Sequence, residues 1–182
     1  MRIISGYYKG RKISALPHKD TRPTTDKVRE NIFNILGHLE GDVLDLFAGT
    51  GSLGIEALSR GAGSCIFIDG AKDAIGVLKK NTEGLEEPVE IYRNDYRRAL
   101  KALAKRDKTF DLIFLDPPYG KNIISFALSE INRLGILNED GRIVIEAGKN
   151  ESFKNPGFDN VRDVVYGTVK VNILKNIEGK SS

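Results

Sequence analysis

Cysteine occurs once in the 182 residues, at Cys65, which excludes an internal disulfide. A lone thiol also fits a reducing compartment. Histidine occurs twice, at His18 and His38, and with one cysteine these cannot compose a zinc cluster, so no metal is expected. No apolar run approaches the ~20 residues of a membrane span, and the N-terminus lacks the apolar stretch of a secretory signal. Repeats, low-complexity tracts and internal linkers are missing too. These absences point to a cytoplasmic chain with no membrane partner.

What is present is a hydrophobic content of 40% and a charged content of 29%, the balance of one globular domain with a full core. Net charge is only +3, but it is unevenly placed. Residues 1–40 hold eight Lys/Arg against four Asp/Glu, a net of +4, and the remainder holds 20 against 21, a net of −1. The N-terminal excess is interleaved with Tyr7 and Tyr8, so charge can hold phosphates while rings stack on bases. Charge alone leaves two readings open for residues 1–40, a solvated basic surface or a nucleic-acid-contacting extension of a body formed by residues 41–182.

Along the extension, Arg2 to Ser5 and Lys12 to Ala15 alternate about Gly6-Tyr-Tyr-Lys-Gly10 and predict a hairpin. Thr24 or Thr25 then caps a helix carrying Val28, Ile32, Ile35, Leu36 and Leu39 at helical spacing. From residue 42 the pattern is strand, turn, helix, repeated. Strands are predicted at 42–47, 64–69, 88–92, 110–115 and 142–147, and helices at 52–60, 71–83, 96–105 and 121–134. Such alternation means right-handed crossovers and a parallel sheet. After Ala147 the rhythm changes. Val161 to Tyr166 and Thr168 to Ile173 meet at Gly167 as an antiparallel hairpin.

Two loops carry the chemistry. Asp45-Leu-Phe-Ala-Gly49-Thr-Gly51-Ser-Leu-Gly54 joins the first strand to the first crossover helix and matches the glycine fingerprint of nucleoside cofactors, with Asp69 placed 20 residues after Gly49. Three features disfavour a nicotinamide dinucleotide. Asp45 would repel a pyrophosphate but suits an ammonium or sulfonium. Asn94-Asp95 can accept from an adenine amino group, and there is no second domain to carry a hydride acceptor. S-adenosylmethionine meets all three conditions.

The second loop is Asp116-Pro-Pro-Tyr119, ending the apolar run Leu112 to Leu115. Two prolines stop the ladder and stiffen the turn, which holds a carboxylate, free carbonyls and a ring where open α/β sheets bind ligands. Acceptors beside a stacking ring suit a planar base with an amino group. Asp45, Asp69, Asp95 and Asp116 all fall at the carboxyl ends of successive predicted strands. Cys65, inside the second strand, is read as a small core residue.

Taken together, Asp45-Leu-Phe-Ala-Gly-Thr-Gly51, Asp116-Pro-Pro-Tyr119 and especially Arg22-Pro-Thr-Thr-Asp-Lys-Val-Arg-Glu30 resemble the RsmD family, whose members methylate the exocyclic N2 of a guanine in 16S ribosomal RNA. Met-Arg-Ile-Ile-Ser-Gly6 and Tyr166-Gly167 extend the resemblance nearly end to end. It implies a Rossmann-like class I S-adenosylmethionine-dependent methyltransferase fold: a seven-stranded, mostly parallel sheet with a C-terminal antiparallel hairpin, preceded by a small N-terminal hairpin and helix. It also implies that Asp45, Phe47, Ala48, Gly49, Thr50, Gly51, Asp69, Asn94, Asp95 and Asp116 hold the cofactor. Asp116, Pro117, Pro118 and Tyr119 would hold the target base. Arg2, Tyr7, Lys9, Arg11, Arg22, Thr24, Thr25, Lys27 and Arg29 would meet RNA within a small-subunit assembly particle, the protein acting as a monomer. Asp69 departs from the glutamate more usual there. Adenine N6 in DNA and a catalytically silent RNA-binding module stand as alternatives.

Overall fold

The run Phe110–Leu115 explains the layering of the molecule. Leu112 and Phe114 face one apolar cluster while Ile113 and Leu115 face another, as strand alternation between two covered faces demands, and Phe110 joins the second across an irregularity in the ladder before Leu112. The computed structural model describes residues 1–17, 25–118 and 122–177. Within them the elements are α1 Asp26–Leu36, β1 Asp42–Asp45, α2 Ser52–Ser59, β2 Ser64–Asp69, α3 Lys72–Thr82 and β3 Val89–Arg93. They continue with α4 Tyr96–Lys105, β4 Phe110–Leu115, α5 Ile123–Leu134, β5 Leu137–Gly148, β6 Phe158–Tyr166 and β7 Val169–Asn176.

The seven strands form one sheet in the order β3-β2-β1-β4-β5-β7-β6. β1 pairs in parallel with β2 and β4, β2 with β3 and β4 with β5, whereas β7 runs antiparallel to both β5 and β6. The order reverses between β1 and β4, so a crevice opens outside the carboxyl ends of those two strands. Helices α1, α2 and α3 cover one face and α4 and α5 the other. Across the first face, Phe33 of α1 meets Phe114 with ring centroids 5.8 Å apart.

Several boundaries differ from the sequence expectation: α1 ends at Leu36, short of the expected Leu39, β6 begins at Phe158 rather than 161, and β7 ends at Asn176 rather than 173. β1 ends at Asp45 rather than 47, because Leu46 and Phe47 already turn toward the glycine loop. β5 begins at Leu137, where Leu137 pairs with Phe110 before a bulge shifts the register onto Arg142. The opening hairpin keeps its path but not its ladder, with a single bridge between Arg2 and Lys12. Its backbone turns instead toward α2: the Tyr7 N–H donates to the Ser59 carbonyl at 2.8 Å, and the Tyr8 N–H donates to Ser59 Oγ at 2.9 Å. Gly6 makes this approach possible, since a Cβ there would lie 2.0 Å from the Ser59 carbonyl oxygen and its φ is +89°.

Residues 1–17 and 25–40 are packed into the body. Ile3, Ile13, Val28, Ile32, Phe33 and Leu36 share one buried cluster with Val43, Leu112 and Phe114. Thr25 is the cap of α1, its Oγ1 accepting from the Val28 N–H at 3.2 Å. Beneath the hairpin lies Glu56, fully buried, whose carboxylate accepts from the Ile4 N–H at 2.8 Å, the Ser5 N–H at 3.2 Å and Arg60 Nε at 2.8 Å. Arg29 Nη1 stands 3.8 Å from the same carboxylate, and Arg29 Nη2 donates to the Arg2 carbonyl and to Asp26.

Removing Glu56 would leave the buried Arg29 cation with only the exposed Asp26 as counter-charge and free two N-terminal amides. Glu56→Ala should therefore cost about 3–5 kcal/mol in denaturant unfolding. A loss below about 1 kcal/mol would show that the buried pair is not what fastens the segment.

Candidate functional site

Asp45 is the last residue of β1 and its side chain is buried among apolar neighbours at 2% exposure. Its Oδ2 accepts from the Gly54 N–H of α2 at 3.1 Å. Burial pushes this carboxyl up to about 7; the Gly54 N–H opposes the rise, and the negative charges of Asp116 and Asp69 add to it. Gly54 is where helix and strand touch: a Cβ there would stand 2.4 Å from the Phe67 ring and 2.8 Å from Cys65 Sγ. Cys65 is the core residue expected, its thiol raised by burial and by the neighbouring Asp45.

The loop between them is fastened from below. Asp69, at the end of β2, accepts from the Gly49 N–H and the Ala71 N–H, both at 2.9 Å, which ties the glycine loop to the start of α3. The Ala48 N–H donates to the Ile68 carbonyl at 2.9 Å, and Gly51 takes φ +84° to enter α2. Asn81 of α3, unforeseen from sequence and 3% exposed, donates to the Thr50 carbonyl at 2.8 Å. The same amide exchanges hydrogen bonds with the Ser14 backbone at 2.9 and 3.1 Å, so loop and N-terminal segment share one anchor.

Along the rim, the Asn94 N–H donates to the Asp69 carbonyl at 3.1 Å. Asp95 caps α4 by accepting from the Arg97 N–H at 2.9 Å and holds the Arg97 guanidinium at 3.0 and 3.1 Å. These bonds, with the side-chain one foremost, keep its carboxyl below the ordinary value. The expectation of a free acceptor is thus amended: Asp95 already carries a cation. Beside it the expected Phe47 joins Tyr96 and Phe126, which the sequence did not single out, in an aromatic shelf. Phe47 meets Tyr96 at 5.2 Å, and Tyr96 meets Phe126 edge-on at 6.0 Å. Asp116 is half-buried after β4, Pro117 is buried and Pro118 exposed. Tyr119 lies outside the described residues.

The N-terminal set divides. Tyr7 is 71% exposed, its hydroxyl donating to Glu86 at 3.2 Å and its ring edge-on to Tyr8 at 4.9 Å. Arg2, Lys9, Thr25 and Lys27 are exposed. Arg11 instead donates to the Asn81 and Glu83 carbonyls of α3 and its C-cap. Arg29 corrects its expected role outright, for it is fully enclosed and faces Glu56 rather than solvent. Arg22 and Thr24 lie outside the described residues.

A family model described as conserved hypothetical protein 95 matches residues 1–175. The chain belongs to that family. YlbH of Bacillus subtilis (strain 168) is 47% identical over 181 residues, covering 96% of this chain and 98% of the relative. The ribosomal RNA small subunit methyltransferase D of Haemophilus influenzae is 33% identical over 182 residues, covering 97% and 94%. The solved structure of yhhF from Escherichia coli superposes with a TM-score of 0.83 at 30% identity, covering 97% of each chain. Membership in the conserved hypothetical protein 95 family agrees with the RsmD resemblance, and the seven-stranded sheet, mostly parallel with an antiparallel C-terminal hairpin, is the methyltransferase fold that resemblance implied.

In this family member the titration of Asp45 makes a stability prediction. Its folded pKa lies above the ordinary carboxylate value, so its contribution is fully present at pH 4 and lost as pH rises through about 7. The unfolding free energy of the native protein relative to Asp45→Asn should change by about 4 kcal/mol between pH 4 and pH 8, falling as pH rises. A difference constant with pH would show that Asp45 is ionised throughout.

Proposed function

We propose that this protein transfers a methyl group from S-adenosylmethionine to the exocyclic N2 amine of a guanine in 16S ribosomal RNA, within a small-subunit particle. The observation that carries the reading is Asp45, a buried carboxylate that has no cation among the described residues and lies within the negative fields of Asp69, at the end of neighbouring β2, and of Asp116, across the β1–β4 switch point. Such a site is completed by a cationic ligand without phosphates. S-adenosylmethionine fits, having an ammonium, a sulfonium, a ribose and an adenine.

When bound, that cofactor supplies a methyl group already activated for displacement. Asp45 and the backbone of Phe47, Ala48, Gly49, Thr50 and Gly51 hold the amino-acid end. Asp69 keeps lone pairs free for the ribose hydroxyls, since each oxygen is engaged by one amide. Asn94 and Asp95 border the adenine, and the Phe47–Tyr96 shelf gives it an apolar wall.

The guanine must leave its stack for the amine to be reached. Asp116 and the Pro117 carbonyl accept its two amino hydrogens, and Tyr119 stacks on the ring. These contacts fix the base and turn the nitrogen lone pair toward the methyl, so the protein's work is orientation and electrostatics. The displaced proton passes to Asp116 or to water. Residues 1–40 form the RNA-contact extension, through Arg2, Tyr7, Lys9, Thr25 and Lys27, with Arg22 and Thr24 in the segment between. The ribosomal RNA substrate is supported by the name of the Haemophilus influenzae relative, which shares nearly the whole chain.

Labelled methyl transfer to small subunits, naked ribosomal RNA and DNA, followed by nucleoside analysis, tests the reading. N2-methylguanosine on RNA is expected; N6-methyladenine on DNA would move the substrate to the alternative, and no transfer anywhere would leave a silent binding module. Asp116→Ala should lower transfer by about 100-fold or more while S-adenosylmethionine affinity stays within about threefold. Turnover retained in that variant would contradict the assigned role.

A further inference from the structure

The rim of the site continues into a feature that the proposed function does not use. Between Arg93 and Lys108 the chain carries seven Lys/Arg and two Asp, a local excess larger than the net +3 of the whole protein. In α4 every charged residue is a cation: Arg97, Arg98, Lys101 and Lys105. Helical geometry puts Arg98, Lys101 and Lys105 within an arc of about 60°, separated by roughly 4.5 and 6 Å along the axis. All three are exposed, opposite the buried Ala99, Leu100 and Leu103.

Nearby acids do not neutralise this row. Asp95 is held by Arg97, Glu90 by Arg106 at 2.9 Å, and Glu130 of α5 by Arg133 at 2.6 Å, with Lys101 adding its field to Glu130. Arg98 and Lys105 have no ion pair among the described residues. The row also has an aromatic neighbour on the edge strand β3. Tyr92 is 41% exposed, hydrogen-bonds Glu90 and lies under the Arg106 guanidinium at 6.0 Å. Bases can stack there while phosphates follow the cations.

We propose that the outer face of α4 is a phosphate track for the RNA strand leading away from the modified nucleotide, with Arg98, Lys101 and Lys105 as its phosphate contacts and Tyr92 with Arg106 as a stacking stop. The track rests on the RNA-methylating reading given above. Its continuity with the site is structural: α4 starts at Asp95 and Tyr96 on the rim of the crevice and runs down the flank of the sheet. A strand entering from the N-terminal hairpin on one side would cross Asp116 and leave along α4 on the other.

The test is the triple variant Arg98→Gln/Lys101→Gln/Lys105→Gln, compared with Lys149→Gln/Lys154→Gln/Lys175→Gln, which removes the same charge from exposed positions near β5 and β7. Affinity for naked small-subunit ribosomal RNA is measured over a salt series, together with S-adenosylmethionine affinity and melting temperature. The α4 variant should lose a slope of roughly 2–3 in log affinity against log salt, about 0.7–0.9 per phosphate contact, with cofactor affinity and melting unchanged. The comparison variant should keep the native slope. Equal slopes in native and α4 proteins, while the native protein methylates RNA, would overturn the track alone. A native protein that neither binds nor methylates ribosomal RNA would overturn the methylation reading and the track with it. Loss of binding confined to subunits, with naked RNA unaffected, would mean an acidic protein neighbour and would also overturn it.

Discussion

A single carboxylate is held out of water where β1 stops, and the functional end of the molecule is arranged around that constraint. Asp45 cannot be buried as an anion without help, and among the described residues its carboxyl accepts from one backbone N–H, that of Gly54. Gly54 can supply it because the helix lies close enough on Phe67 and Cys65 to exclude a Cβ. The glycine loop between Asp45 and Gly54 is then fixed from two directions, by Asp69 through the Gly49 N–H and by Asn81 through the Thr50 carbonyl. A rigid loop, a buried acid with no cation among the described residues and two further acids nearby form a site suited to a positively charged ligand.

The N-terminal segment depends on the same helix. Glu56 lies one turn beyond Ser52 and collects Ile4, Ser5, Arg29 and Arg60, so the tip of the hairpin and α1 are both referred to α2. Asn81 repeats the device at Ser14. The surface offered by Tyr7 and Lys9 is thereby held at a fixed distance from the glycine loop, as the proposed nucleic-acid contact for one chosen base requires.

Most of the strand and helix pattern was legible because both periodicities are strong and turn residues punctuate them. The carboxyl-end placement of Asp45, Asp69, Asp95 and Asp116 followed from strand order alone. Other features were hidden for physical reasons. Arg29 sits in a polar, cationic stretch, and only the tertiary path shows that its side chain enters the core to meet Glu56, an acid 27 residues away in a helix otherwise read as apolar. Asn81 looks like any polar residue near a helix end. The Tyr96–Phe126 contact joins two helices that no local pattern pairs. The α4 cations vanished in the charge sum because acids elsewhere in residues 41–182 offset them, although in space the row is intact.

In the proposed cofactor site Asp45 is mostly protonated at pH 6, below the value of about 7 to which burial raises it, and is ionised by the cofactor's positive charge. Calorimetric binding of S-adenosylmethionine at pH 6, in two buffers of different ionisation heat, measures it directly. The account predicts release of about one proton per cofactor bound, lost in Asp45→Asn. Identical binding heats in the two buffers for the native protein, or the same release from the variant, would contradict it.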